Sequence, residues 1–305
     1  MQNRYYSNGK LLISGEYVVL DGANALAVPT KFGQDLIIKE GNNSQINWIS
    51  KDSDGSIWFE GTIDFAEITN KNYISKTENV ENLLLDILRQ AYLLNPDYIE
   101  KSKGYNIETN LTFPKFWGLG TSSTLINNVA QWLQVDAFTL LENSFGGSGY
   151  DIASAQNDTA ILYQLEDGKP LVTKTNFNPD FADNLYFVYL NKKQSSKGAI
   201  TSYYNNKPVD LSRIIAEINR ITEQMLTAST LNLMEIAMQK HENIISNILM
   251  METVQEVNFS DYEGVVKSLG AWGGDFVLAT AKENPSEYFR SKGFNTILTY
   301  KEMIL

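Results

Sequence analysis

Residues 105 to 133 constrain the chain most. Tyr105, Ile107, Thr109, Leu111 and Phe113 alternate with Asn106, Glu108 and Asn110, the period-two pattern of a strand with one wet face. Pro114 ends the run, and Trp117-Gly118-Leu119-Gly120-Thr121-Ser122-Ser123 follows. Leu125, Val129 and Leu133 then recur at helical spacing, with Ile126 and Ala130 beside them. A strand, a Gly-rich loop and a helix in succession predict a chain of mixed strands and helices.

The same loop carries the strongest chemical signal. Gly118 and Gly120 let the backbone approach a ligand with no Cβ in the way. The helix behind them begins with unpaired N–H groups and partial positive charge, and Thr121, Ser122 and Ser123 add hydroxyls. Together these form a polyphosphate cradle. The plainer alternative is a turn in which Ser122 or Ser123 only caps the helix. No Gly-Lys-Ser/Thr follows, so the loop is not a Walker P-loop, and the third glycine of a dinucleotide fingerprint is absent.

Elsewhere the pattern is regular. Lys10 to Ser14 reads as a buried strand, Gly15-Glu16 as a turn, and Tyr17 to Leu20 as a second strand closed by a hairpin turn at Asp21-Gly22. A third apolar stretch, Ala25 to Val28, ends at Pro29, and short strands occupy Ile37 to Phe65. Val80 to Leu94 is a helix, with Leu84, Leu88 and Tyr92 on one stripe, and Asp136 to Glu142 is helical. Asp151 to Gln156 begins a short helix, and Ala160 to Thr173 reads as paired strands. Leu185 to Leu190 is a strand, Leu211 to Met250 is helical, and Phe276 to Thr280 is an apolar strand. Asn, Pro and Asp cluster between Asn176 and Asp183, which sets an expected domain boundary: residues 1–178 and 179–305.

Composition excludes several functions. A net charge of −11 disfavours nucleic acid and anionic membrane, which need a basic footprint. It does not exclude a small anion met by local N–H groups and cations. With no cysteine, disulfides, thiolate metal sites and a Cys nucleophile are ruled out. No apolar run reaches the length of a membrane span or signal core, so a cytoplasmic protein is expected.

Three more segments invite chemistry. Ser148-Gly149-Tyr150-Asp151 places a carboxylate just past a Gly-rich turn, where it either accepts a proton from a bound hydroxyl or caps a helix. Lys10, beside the apolar run Leu11-Leu12-Ile13, either stands at the strand's exposed start or turns toward a carboxylate. Gly270-Ala271-Trp272-Gly273-Gly274 is either a close-approach loop or a plain hairpin turn.

In this order the four motifs resemble the GHMP kinase superfamily, and the resemblance spans nearly the whole chain. Gly147-Ser148-Gly149-Tyr150-Asp151-Ile152-Ala153 resembles the bacterial GYDIA-type branch. Together with Gly15-Glu16-Tyr17 and Gly273-Gly274-Asp275 it is also similar to phosphomevalonate kinases. The resemblance implies a two-domain α+β fold with a ribosomal protein S5 domain 2-like N-terminal domain and a ferredoxin-like C-terminal domain, and an active site in the cleft between them. It implies ATP and Mg²⁺ as cofactors, a small-molecule substrate, no nucleic-acid or membrane partner, and leaves a homodimer open. Gly118, Leu119, Gly120, Thr121, Ser122 and Ser123 would wrap the ATP phosphates. Asp151 and Lys10 would be the catalytic pair, with Glu16, Tyr17, Ser148, Gly149, Gly273 and Gly274 toward the acceptor. Ser122 and Glu142 would hold the metal. Two departures stand out: mevalonate kinases carry a metal-binding Glu eleven residues before the catalytic Asp, whereas Glu142 lies nine before Asp151, and Trp272 replaces a usual Gly.

The implied reaction is transfer of the ATP γ-phosphoryl group to mevalonate or phosphomevalonate, chemistry that relies on positioning and charge stabilisation. Other acceptors, such as a sugar or homoserine, remain alternatives, as do a non-catalytic nucleotide-binding regulator and an ATP-dependent decarboxylase. A Ser hydrolase using Ser148 or Ser122 would need His241, the only histidine, and the Gly-x-Ser-x-Gly elbow is absent. Lys192, Lys193 and Lys197 form a basic cluster that either binds an acceptor phosphate or is a solvated loop.

Overall fold

The computed structural model describes residues 2–75, 79–193, 196–207 and 210–305, without the side chains of residues 196, 197 and 199. Lys197 of the expected basic cluster therefore lies outside the described side chains. The chain divides into two compact units interleaved along the sequence. One comprises Met1–Gly9, Phe32–Lys115 and Leu119–Gln156, the other Lys10–Lys31, Phe116–Gly118 and Asn157–Leu305.

Two long strands, β1 (Gln2–Ser14) and β2 (Ala25–Glu40), contribute residues to both units. In the first unit they are joined by β3 (Gln45–Lys51), β4 (Ile57–Asp64) and β5 (Tyr105–Leu111). The far half of β2 pairs antiparallel with β5, which runs parallel to β3, and β3 pairs antiparallel with β4. The alternation of β5 is realised: Ile107, Thr109 and Leu111 are buried while Asn106 is exposed. Leu36, Ile38, Ile46, Trp48 and Ile107 share one core with Leu84 and Leu88 of the helix Val80–Leu94. Ile126 and Val129 of the helix Thr121–Leu133 and Leu140 of the helix Ala137–Ser144 complete it. Asn79 and Asp136 cap two of these helices by accepting from the Asn82 and Thr139 amides.

The second unit holds the other end of β2, paired through Ala25–Ala27 with β6 (Ile161–Glu166). A left-handed Asp167-Gly168 turn leads into β7 (Lys169–Lys174), the two-residue connection that suits a hairpin. A separate sheet takes β8 (Leu185–Tyr189), β9 (Val266–Leu269), β10 (Phe276–Thr280) and β11 (Ile297–Thr299) in the order β11-β8-β10-β9. Val188, Val266, Val277, Phe259 and Phe289 pack together at this sheet. The helices Leu211–Leu226 and Leu231–Leu249 supply Ile218, Ile245 and Ile248 to a further cluster with Tyr17, Val18, Tyr203 and Trp272.

Two expectations are corrected. Tyr17 to Leu20 is not a strand: Val18–Asp21 forms a 3₁₀ turn ended by Gly22 in the left-handed region. Gly15 at φ 88° and Tyr17 at φ 63° curl the chain back, and the Val19 amide donates to the Gly15 carbonyl at 3.0 Å. Val18 and Val19 are both buried, which a strand with one wet face would not allow, and so short an apolar run cannot tell the two periods apart. Nor does Pro29 end a strand, because β2 continues through it to Glu40. Pro29 falls between the stretch paired with β6 and the stretch paired with β5, so its missing N–H costs no bond in either ladder.

Core packing and exposure separate two leucines of one helix. Leu88 is fully buried and Leu93 is 61% exposed. Leu88→Ala should cost about 2–5 kcal/mol through lost burial and a cavity, while Leu93→Ala should stay within about 0.5 kcal/mol. Urea titrations of both variants measure the difference, and equal midpoints would contradict this placement of the helix.

Candidate active site

In the first unit the helix Thr121–Leu133 starts from Gly120, which stands at φ 96° as its N-cap, and no side chain caps it. Ser122 and Ser123 therefore sit inside the first turn and not at the cap. The Ser123 hydroxyl donates to the Gly120 carbonyl at 2.9 Å, and Thr124 Oγ1 lies 3.0 Å from the same oxygen. Ser122 is partly buried. The helix thus opens with amide N–H groups that no side chain caps, beside a glycine whose conformation costs a residue with a Cβ dearly.

A buried polar network fixes this helix to the sheet. Asn128 Oδ1 accepts from Ser7 Oγ at 2.7 Å, and Asn127 Nδ2 donates to the same Oγ at 2.8 Å. Asn128 Nδ2 donates to the Gln34 carbonyl at 2.9 Å, and Thr124 Oγ1 donates to Gln34 Oε1 at 2.7 Å. Ser7 lies on β1 and Gln34 on β2, so two strands hold the first two turns of the helix. Hydrogen bonds between fully buried groups resist rotation or sliding, because each broken one strands a desolvated partner. Sequence reasoning missed these residues. The signal was present, since Asn127-Asn128 interrupts the middle of an apolar helix.

Gln156 Nε2 donates to Asn127 Oδ1 at 3.1 Å, tying the same helix to the end of the short helix Tyr150–Ala155. That helix starts from Gly149 at φ 88°, again with no side-chain cap. Asp151 is the second residue of its first turn, partly buried, and so is not the capping residue. Ser148 and Gly149 are buried, while Glu142 is exposed on the helix Ala137–Ser144. Among the described residues, no three His, Asp or Glu converge as a metal site.

The second unit brings the Gly15–Tyr17 turn and the Gly270–Gly274 loop together. Lys10 is partly buried in the interior of β1, whose exposed start lies eight residues earlier at Gln2. Tyr17 donates its hydroxyl to the Gly270 carbonyl at 3.3 Å and accepts from the Trp272 amide at 2.8 Å. The Gly15–Tyr17 turn and the Gly270–Gly274 loop are thus bound directly to each other. Trp272 is 2% exposed and its indole donates to the Glu252 carbonyl at 3.0 Å, so the bulky ring anchors the loop in the core. The loop ends at Asp275, whose amide donates to the Lys192 carbonyl at 2.8 Å. The Asp275 carboxylate lies against Gly118, where an added Cβ would come within 2.3 Å of it. Gly118, Gly273 and Gly274 therefore belong to one neighbourhood.

Behind the Tyr17 turn lies a buried ionisable cluster. Lys267 Nζ meets Glu16 Oε1 at 2.6 Å, Ser268 O at 2.8 Å and Glu242 Oε1 at 3.8 Å. His241 Nε2 accepts the Gly15 amide at 2.9 Å and lies 3.2 Å from Glu16 Oε2. Burial, reinforced by the Lys267 ammonium, holds the imidazole well below its usual range, so it is neutral and carries its hydrogen on Nδ1. A buried ring nitrogen engaged with a backbone amide is no base for Ser122 or Ser148, which removes the hydrolase reading. Burial pushes Glu16 up against the pull of Lys267, and pushes Glu242 up to about 8. Lys267 and Glu242 were not singled out from the sequence, although Val265-Val266-Lys267-Ser268-Leu269 shows the same lysine-in-an-apolar-run signal as Lys10.

Solved structures of several small-molecule kinases share this fold. Mevalonate kinase from Methanococcus jannaschii matches with a TM-score of 0.73 at 18% identity, over 98% of this chain and 97% of the other. Phosphomevalonate kinase from Streptococcus pneumoniae, solved with phosphomevalonate and AMPPNP, matches at 0.70 and 15%, over 97% and 99%. Galactokinase from Lactococcus lactis, solved with galactose, matches at 0.64 and 12%, over 95% and 88%. The chain has the two-domain α+β GHMP kinase fold. At the level of sequence, no protein family and no curated protein matches it.

The cluster makes stability depend on pH with a definite sign. Glu242 holds its proton up to about 8 when folded but near 4.5 when unfolded. Between those values the folded state binds more protons, so stability falls as pH rises through the window. Glu242→Gln removes that penalty. Its melting temperature relative to wild type should rise from pH 5 to pH 8, and a gap independent of pH would contradict the assignment.

Proposed function

We propose that the chain is an ATP-dependent phosphotransferase acting in the cytoplasm on mevalonate or phosphomevalonate. The observation that carries this reading is the pair of glycine-started, side-chain-uncapped helices linked through Asn127 and Gln156 in one unit. One opens on Thr121-Ser122-Ser123 and the other on Tyr150-Asp151. Uncapped first turns with partial positive charge suit the phosphates of a nucleotide. Asp151, the second residue of such a first turn, suits an acceptor hydroxyl.

In this reading the Gly118–Ser123 loop wraps the ATP phosphates. Ser122, with Glu142 as a further candidate, would hold Mg²⁺, which offsets phosphate charge when bound. Asp151 orients the acceptor and takes its hydroxyl proton, and Lys10 offsets the transferring group's charge. If the acceptor is already a phosphate there is little proton to remove, and the part of Asp151 as a base recedes. Of the residues proposed toward the acceptor, Ser148 and Gly149 belong to the first unit and Glu16, Tyr17, Gly273 and Gly274 to the second. The bond between the Asp275 amide and the Lys192 carbonyl starts the exposed Lys192-Lys193 pair beside Gly273 and Gly274, which favours an anionic acceptor. Among the described residues no helix is long and apolar enough to cross a membrane.

ADP release with mevalonate, phosphomevalonate, galactose and homoserine, each tested separately, identifies the acceptor. Asp151→Asn should lower kcat by roughly 10²–10⁴-fold with little change in melting temperature. Near-normal turnover in that variant would end the proposed mechanism. Ser122→Ala should weaken the use of Mg·ATP without unfolding the chain. Neutralising Lys192 and Lys193 should raise KM for phosphomevalonate more than for mevalonate, and equal effects would remove the basic pair from acceptor binding.

A further inference from the structure

Lys267 has 0% exposure, a rare state for lysine unless a partner neutralises it. The phosphotransferase reading gives it no role. Its ammonium grips Glu16 Oε1 at 2.6 Å and the Ser268 carbonyl at 2.8 Å. Glu16 is thereby held from β9, whose last residue Leu269 leads straight into the Gly270–Gly274 loop. The flanking residues are held as well. Gly15 donates its amide to His241, and Tyr17, in the left-handed region at φ 63°, reaches Gly270 and Trp272 through its hydroxyl. A non-glycine residue in that region is kept there only by such surroundings.

We propose that Lys267 is a positioning residue for the acceptor end of the site, holding Glu16 and, through it, the Gly15–Tyr17 turn in register with the Gly270–Gly274 loop. Four ionisable side chains from three elements face one another here: Glu16 from the turn after β1, His241 and Glu242 from the helix Leu231–Leu249, and Lys267 from β9. The imidazole is neutral and Glu242 holds its proton at neutral pH. Lys267 is therefore the cation that Glu16 answers to. Without it Glu16 keeps only backbone hydrogen bonds, from its own amide and from Gly270, and the turn loses its one charged tie to β9.

The proposal rests on the phosphotransferase reading for the word acceptor, but the fastening itself does not. Two measurements on the full chain keep these apart. Hydrogen exchange of Lys267→Met should rise locally, in peptides covering 11–20 and 268–276, where the Gly15 and Trp272 amides report. In steady state, kcat/KM for the acceptor should fall by roughly 10²-fold, the cost of slight misplacement of a reacting group. KM for ATP should stay within about twofold, since uniform binding of the nucleotide is untouched. Lys267→Met leaves two buried acids without a cation. The double variant Lys267→Met with Glu242→Gln, which lightens that burden, serves if the single variant does not fold.

Exchange unchanged in both segments, or parallel losses toward ATP and acceptor, would overturn the proposal. So would a fall in melting temperature with acceptor kinetics intact, because Lys267 would then only stabilise. Should the wild-type chain turn over no acceptor at all, the phosphotransferase reading fails. The exchange pattern would still decide whether Lys267 fastens the turn.

Discussion

A lysine sealed from water must find an anion, and in this chain it finds Glu16. The loops of the second unit depend on that requirement. Glu16 stands between Gly15 and Tyr17, two residues in the left-handed region, so holding its carboxylate holds a turn that would otherwise relax. The turn in turn holds the Gly270–Gly274 loop through the Tyr17 hydroxyl. Buried ion pairs contribute little net stability, because desolvation offsets most of their attraction. What this one supplies is a single arrangement of two loops.

The first unit solves the same problem without charge. Ser7, Gln34, Asn127 and Asn128 lock a helix onto two strands by hydrogen bonds inside an apolar core. The helix start that results is aimed by groups several residues away from it. A cradle for phosphate needs that rigidity, since amide dipoles help a charged ligand only if they need not reorganise when it arrives. Each unit therefore devotes a buried polar network to positioning a glycine-rich loop. The two networks differ in kind: one is neutral and insensitive to pH, and the other carries a carboxyl that titrates at about 8.

Much of this was legible in the residues. The helix Val80–Leu94 and the strand Phe276–Thr280 carry the expected boundaries, because long or strongly apolar segments leave only one period that fits. The Gly-rich loops were legible because glycine at φ > 0 is a local requirement. Tyr17 to Leu20 was misread because four apolar residues carry no usable period, and Pro29 because a strand that changes partners midway has a place for proline. Whether Ser122 or Asp151 caps its helix could not be read either. The answer depended on Gly120 and Gly149 taking the cap position.

By itself the sequence determined the alternation of β5, the helix behind it, the four glycine-marked loops and the absence of any thiol chemistry, since each follows from local sterics, periodicity or composition. Only the tertiary structure decided that Lys267, some 250 residues from Glu16, is its partner. It alone decided that His241 is a neutral acceptor for Gly15, that Trp272 is an anchor in the core, and that Asp275 lies on Gly118. The physical reason is burial. Whether a lysine, a histidine or a tryptophan is structural or reactive depends on which atoms exclude water from it, and those atoms come from elements far apart in the chain.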